Sequence, residues 1–230
     1  MTRVVLVTGA NRGIGREIAR QLALRGDAVV LTARDLGKAE RAAAALPGRE
    51  HVLARRLDVT DPASIERVAV DLDRHYGRLD VLVNNAAIHY DSWQQDSTAD
   101  LQVVREALEV NLLGAWRTSL TLLPLLRASG QGRIVNVSSE AGSLASMDGG
   151  TPAYTVSKAA LNALTRMLAS ELRRDRIIVN AVCPGWVATD MGGPGGRPVT
   201  EGAASVLWAV DLPDDGPTGG FYRDGRPVPW

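Results

Sequence analysis

Tyr154 and Lys158 stand four residues apart in Tyr154-Thr155-Val156-Ser157-Lys158. In a helix that spacing puts both on one face, about 6 Å apart along the axis. A phenol with a pKa of about 10 is a poor acid or base at neutral pH, because proton transfer is most efficient when the catalytic pKa lies near the working pH. A cation on the same face lowers it, and the N-terminal end of a helix favours the phenolate. Each tenfold gain in acidity requires about 1.4 kcal/mol of preference for the phenolate. Ser139, just past an apolar run, can donate to or accept from a reacting oxygen. Lysine is scarce in an arginine-rich chain, with Lys38 and Lys158 the only two. A compact ammonium with rotatable donors does what a planar guanidinium cannot. Asn111 sits in an otherwise apolar helical stretch with Leu108, Val110, Leu112, Leu113 and Trp116. Asparagine is a poor helix former, so either a satisfied buried amide or a functional one is expected there.

The element that would bring a partner to these groups lies at the other end of the chain. Val4 to Val7 is an apolar run suited to a strand buried on both faces, and it collapses into Thr8-Gly9-Ala10-Asn11-Arg12-Gly13-Ile14-Gly15. Such glycines let the backbone turn tightly, approach a pyrophosphate and pack the next helix close. The N–H groups of that helix start would face the phosphates. The spacing is Gly-x-x-x-Gly-x-Gly, which also fits an ordinary strand-to-helix turn.

A second strand, Ala28 to Ala33, ends at Arg34, with Asp35 placed to cap the following helix. An acidic residue at that tip would hold a ribose 2′-OH, whereas arginine accepts a 2′-phosphate. Arg34 and Arg12 together favour NADP over NAD. Val52 to Leu57 reads as a third strand, with Asp58 at its end able to accept from an adenine amino group or to act as a cap. Leu79 to Val83 is a fourth, running into Asn84-Asn85-Ala86-Ala87, where neighbouring amides can tie strand ends together.

A long helix is expected from about Ala99 to Arg127, a fifth strand over Gly132 to Val137, and a helix opened by Thr151 as cap and Pro152. Ile177 to Val182 is a sixth strand, followed by Cys183-Pro184-Gly185-Trp186-Val187-Ala188-Thr189, a short helix over Thr200 to Val210, and a last strand near Phe221. This alternation implies an α/β fold, a Rossmann-type doubly wound parallel sheet of about seven strands with helices on both faces. Ligands bind such sheets beyond the carboxyl ends of the strands. The glycine turn, Arg34, Asp58, Asn85, Ser139 and the Pro184 to Thr189 stretch all fall at those ends.

The 230 residues fit one domain spanning 1–230. A formal charge of zero argues against a nucleic-acid partner and gives no general attraction to anionic membranes. No apolar run reaches the roughly 20 residues of a membrane span and no signal peptide is evident, so a cytoplasmic protein is expected. Cys183 is the single cysteine, expected buried and inert. Three scattered histidines without an acidic cluster give no support for a metal site.

Taken in order, Thr8-Gly9-x-x-x-Gly13-x-Gly15, Asn84-Asn85-Ala86, Asn111, Ser139, Tyr154-x-x-x-Lys158 and Pro184-Gly185 resemble the classical short-chain dehydrogenase/reductase family over essentially the whole chain. Thr32 to Asp35, Cys183 to Val187 with Thr189-Asp190-Met191, and Asp214 to Gly219 resemble its carbonyl reductase branch, which prefers NADPH. The resemblance implies that Tyr154 gives a proton to a carbonyl and Ser139 polarises it. It makes Lys158 the residue that holds the nicotinamide ribose and sets the phenol pKa, and Asn111 the anchor of a water leading protons to bulk. It places the nicotinamide carboxamide at Thr189 and the adenine at Asp58 and Val59. Further NADPH/NADP+ contacts are expected at Gly9, Asn11, Arg12, Gly13, Ile14, Gly15, Arg34, Asn85, Ala86, Pro184, Gly185 and Val187, and substrate contacts at Ser139, Tyr154 and Trp186.

The implied reaction is reduction of a small lipophilic ketone, aldehyde or quinone, or the reverse oxidation of an alcohol. The same fold without turnover would instead serve as an NADP(H) sensor or scaffold. Ala87 departs from the family's usual glycine, and its methyl is expected to crowd the nicotinamide side. The segment between Ser139 and Tyr154 lacks the long insertion of monomeric carbonyl reductases, so a homodimer or homotetramer is expected. Met147, Leu144, Glu140, His89, Tyr90, Trp93 and Met191 surround the site in sequence order, with wall packing as good an explanation as substrate contact. His51 and His75 are expected at the surface.

Overall fold

Residues 2–88 and 90–230 are described by the structure, a computed structural model; the expectation for His89 lies outside the described residues. β1 (Val4–Val7) is buried at all four positions, as an apolar run without alternation should be. It sits within one eight-stranded sheet with β2 (Ala28–Ala33), β3 (Val52–Arg56), β4 (Val81–Asn84), β5 (Arg133–Val137), β6 (Ile178–Val182), β7 (Phe221–Arg223) and β8 (Arg226–Pro227), in the order β3-β2-β1-β4-β5-β6-β7-β8. The first seven strands pair in parallel, and β8 returns antiparallel to β7. The strand order reverses between β1 and β4, which opens a crevice at their carboxyl ends.

Helices cover both faces. Val5 and Val7 point into a core shared with α1 (Gly13–Leu24), α2 (Leu36–Ala44) and α7 (Val199–Val210). Val4 and Leu6, one residue out of phase, join the opposite core with α3 (Pro62–Tyr76), α5 (Ala115–Ala128) and α6 (Pro152–Glu171). Burial of a side chain such as Leu6, Leu82 or Leu122, each wholly inaccessible, contributes about 1.5–3 kcal/mol. Among the described residues no helix is long and apolar enough to cross a membrane.

Three expectations need correction. The long helix is not uniform: α4 (Leu101–Ala107) passes into a π-helical turn over Leu108–Gly114 before α5 begins. The sheet has one strand more than expected, because Asp224 and Gly225, both at positive φ (52° and 75°), form a tight turn that folds Arg226 and Pro227 back on β7. Thr151 does not cap α6 with its side chain. It holds a left-handed φ of 50°, and its hydroxyl meets that of Thr155 at 3.1 Å.

Candidate functional site

The glycine turn behaves as its spacing demands. Gly9 and Gly13 adopt φ of 62° and 55°, where a side chain would strain the backbone. A Cβ on Gly15 would strike the Asn85 amide, and it would stand 2.9 Å from the Gly9 carbonyl oxygen. Asn85 Nδ2 donates to the carbonyls of Thr8 (2.9 Å) and Gly9 (3.2 Å), tying the end of β4 to the end of β1 as expected of neighbouring amides. No side chain caps α1, so the N–H groups of its first turn face the cleft without a side-chain acceptor.

That cleft, about 210 Å³, is lined by Gly9, Asn11, Arg12, Gly13, Ile14, Gly15, Arg34, Asp58, Val59, Asn85, Ala86, Tyr154, Lys158, Pro184 and Thr189. Ala87, whose methyl is expected to crowd the nicotinamide side, also lines it, as do Leu57, Ile88, Val110, Val137, Ser138, Asp190 and Met191, which the sequence did not single out as contacts of a bound nucleotide. Arg34 is exposed at the tip of β2, with no ion pair among the described residues. Arg12 lies across the mouth, its guanidinium donating to Asp190 at 2.7 Å. Asp58 uses Oδ1 for the Thr60 N–H (3.0 Å) and hydroxyl (2.7 Å). Burial raises its pKa, but those bonds and the charges of Arg34 and Arg56 outweigh burial and hold the carboxyl below its usual range. Asp35 caps α2, accepting from the Lys38 N–H at 2.8 Å, as expected.

Gly185 and Val187 stand outside this cleft and line a second cavity of about 260 Å³ with Tyr90, Ser139, Glu140, Trp186 and Met191. Val187 is buried, and its side chain packs against Gly202. Trp186 is exposed, with its indole N–H held by the Gly192 carbonyl at 2.6 Å. Tyr154 lines both cavities, as do Ile14, Pro184, Thr189 and Met191.

Around Tyr154 the groups converge. Lys158 is buried, donates to the Val137 carbonyl oxygen at 2.7 Å and stands 5.5 Å from the centre of the Tyr154 ring. Burial pulls its pKa down to about 8. Ser139 accepts from the Ala141 N–H at 3.2 Å. The expected lowering of the phenol is reversed in this structure. Burial pushes Tyr154 up to about 12, and a hydrogen bond with Ser139 only partly opposes it. Nor is the N-terminal end of α6 open to a phenolate, because Asp91 already accepts the N–H groups of Ala153 (2.9 Å) and Tyr154 (3.0 Å). Asp91 is another residue near the site that sequence reasoning missed.

Asn111 lies behind the cleft in the π-helical turn, buried, and bonds both ways to the backbone of Ile88: Oδ1 accepts at 2.8 Å and Nδ2 donates at 3.0 Å. Its second amide hydrogen goes to Ser157 Oγ at 2.9 Å. The amide thus ties the irregular segment after β4 to α6 and keeps one acceptor position on Oδ1. Cys183 is buried as expected, its sulfur accepting from the Glu140 and Gly185 N–H groups, and burial pushes the thiol up. His51 and His75 are exposed, as expected.

Residues 3–197 match the short chain dehydrogenase family profile. Salutaridine reductase of Papaver somniferum is 34% identical over 293 aligned positions, covering 96% of this chain and 94% of that protein. The NADPH carbonyl reductase 1 of Sus scrofa is 36% identical over 286 positions, covering 100% and 94%. The crystal structure of NADPH-bound carbonyl reductase from chicken fatty liver superposes with a TM-score of 0.89 at 31% identity, covering 100% of this chain and 99% of that one. Alignments this much longer than 230 residues mean that these relatives carry segments absent here. With its glycine turn, its strand order and its Tyr154, Lys158 and Ser139 gathered at one sheet edge, the chain belongs to the short-chain dehydrogenase family.

Proposed function

We propose that this protein is an NADPH-dependent oxidoreductase that reduces the carbonyl of a small lipophilic ketone, aldehyde or quinone, with alcohol oxidation as the reverse through the same transition state. One observation carries the reading: Tyr154 lies in the wall shared by the cleft at the glycine turn and the adjoining cavity. The residues fit a dinucleotide, since the first turn of α1 has no side-chain cap and Gly15 leaves no room for a Cβ beside Asn85. Gly9, Asn11, Gly13, Ile14 and Gly15 would hold the pyrophosphate. Arg34 would take the 2′-phosphate, joined by Arg12 once it leaves Asp190, and Asp58 and Val59 would take the adenine. Asn85, Ala86, Pro184 and Thr189 would frame the nicotinamide end, with Gly185 and Val187 behind it in the wall of the adjoining cavity. When bound, the nicotinamide supplies the hydride.

The chain's own groups then handle the proton. At a pKa of about 12 Tyr154 is protonated at neutral pH and so holds the proton the carbonyl oxygen would take, and it depends on the Lys158 charge to become acidic enough to release it. Ser139, whose oxygen accepts from Ala141 and whose hydroxyl is hydrogen-bonded to Tyr154, would turn its proton to the same substrate oxygen and polarise it. Lys158 remains charged below about pH 8 and steadies the phenolate left behind. Asn111 would hold a relay water on its spare acceptor position. Tyr90, Trp186 and Met191 give the cavity an aromatic and thioether wall, which supports a lipophilic substrate. Leu101, Leu120, Val156 and Met167 leave apolar side chains exposed on α4, α5 and α6, which supports pairing of these helices in a homodimer or homotetramer.

Tyr154→Phe tests the reading. On a carbonyl panel followed at the NADPH absorbance, the wild type turns over and the variant loses turnover by at least about 10²-fold, with NADPH affinity largely kept. Equal turnover in both would refute the assignment. NADPH binding without turnover of any carbonyl by the wild type would favour a sensor or scaffold.

A further inference from the structure

The first turn of a helix has N–H groups with no partner inside the helix, and a side chain just before the helix usually accepts from the second or third of them. In α6 the local residue, Thr151, is in a left-handed conformation and does not do so. The second and third N–H groups, of Ala153 and Tyr154, are instead taken by the two oxygens of Asp91, at 2.9 and 3.0 Å. Asp91 is far away in sequence and wholly inaccessible. Gln94 donates to the same carboxylate at 2.9 Å and accepts from the Asp100 N–H at 2.7 Å. Nearby, Asp96 accepts from the Gly150 N–H at 3.0 Å. The chain from Tyr90 onward is therefore fastened to the start of α6, and the Tyr90 ring meets the Tyr154 ring edge-on with centres 5.4 Å apart.

We propose that Asp91 is a positioning residue for Tyr154: it fixes the first turn of α6 from outside the helix and so keeps the phenol where the two cavities meet. A carboxylate suits this role because it presents an acceptor oxygen to each N–H. Asparagine keeps one acceptor and turns an amide NH₂ toward the other N–H, and alanine removes both. Cofactor contacts on α1, β2 and β3 are untouched by either change.

The inference rests on the proposed carbonyl reduction, and its test separates the two. Asp91→Ala and Asp91→Asn are compared with the wild type for kcat, KM of the carbonyl, NADPH dissociation constant and amide hydrogen exchange, well below the melting temperature. Alanine lowers kcat by about tenfold or more, as misplacement of a reacting group by a fraction of an ångström does. NADPH affinity stays within about threefold, and asparagine recovers part of the loss. A merely structural role would move the melting temperature without this split. Wild-type kcat in Asp91→Ala, or kcat and NADPH affinity falling together, would overturn the inference. If the wild type itself reduces no carbonyl, the functional reading fails separately. Asp91 is then decided by exchange alone: lost protection at the Ala153 and Tyr154 amides, with the rest of α6 unchanged, supports it, and retained protection overturns it.

Discussion

Lys158 is held at some expense to the fold. Its ammonium is buried, with the Val137 carbonyl as its hydrogen-bond acceptor, and burial brings its pKa from 10.5 to about 8. The unfolded chain binds this proton up to about pH 10.5, the folded chain only up to about 8. Between those values the unfolded state carries more protons, so this residue's contribution to stability rises with pH there, and its full penalty is present below pH 8. That difference corresponds to about 3 kcal/mol at neutral pH, of which about 1 is offset on replacement by losing the Val137 bond. Lys158→Met is therefore expected to be about 2 kcal/mol more stable at pH 7 and to lose that gain by about pH 10.5, while turnover disappears. Urea unfolding at the two pH values, beside a turnover assay, checks both parts. A residue that weakens the fold is accounted for if it serves the proposed chemistry, and the scarcity of lysine in the sequence draws attention to it.

At the scale of elements, the glycine turn is the most constrained piece. Gly15→Ala inserts a methyl between Asn85 and the Gly9 carbonyl, where neither neighbour is free to move because they bond to each other. The expected result is a loss of about 2 kcal/mol, or roughly 4–8 °C in Tm, together with weaker NADPH binding. Thermal melts and a fluorescence titration read the two effects. The turn was legible because strand, glycines and helix start are contiguous in sequence. So was β2, whose ends match the expected Ala28 and Ala33. The π-helical turn was not legible, since widening one turn of a helix alters neither its composition nor its apolar face; only the misplaced Asn111 hinted at it. Nor was the role of Asp91, because a cap supplied by another element leaves no local pattern. The β7–β8 hairpin had a signal in Asp224-Gly225 that the sequence reading passed over.

At the scale of the molecule, the exposed side chains of Leu101 (62%), Leu120 (53%) and Met167 (57%) lie on helices beside the site. Light scattering at micromolar concentration is expected to give two or four times the 24.5 kDa chain mass, and a monomer would remove the proposed pairing. Beneath those helices runs a buried chain of polar groups. Asn84 Nδ2 donates to Ser119 Oγ and to Asn136 Oδ1, and Asn136 Nδ2 donates to Thr165 Oγ1. Asn84 and Asn136 are also direct register partners on β4 and β5. A slip of one residue would turn each amide to the opposite face of the sheet and strand it without a partner. Asn85 follows Asn84 by one step, and Ser139 follows Asn136 by three. The polar chain thus works as a ruler built into the core: it measures off how far each strand projects beyond the sheet, and so sets the spacing between the residue that closes the glycine turn and the hydroxyl beside Tyr154.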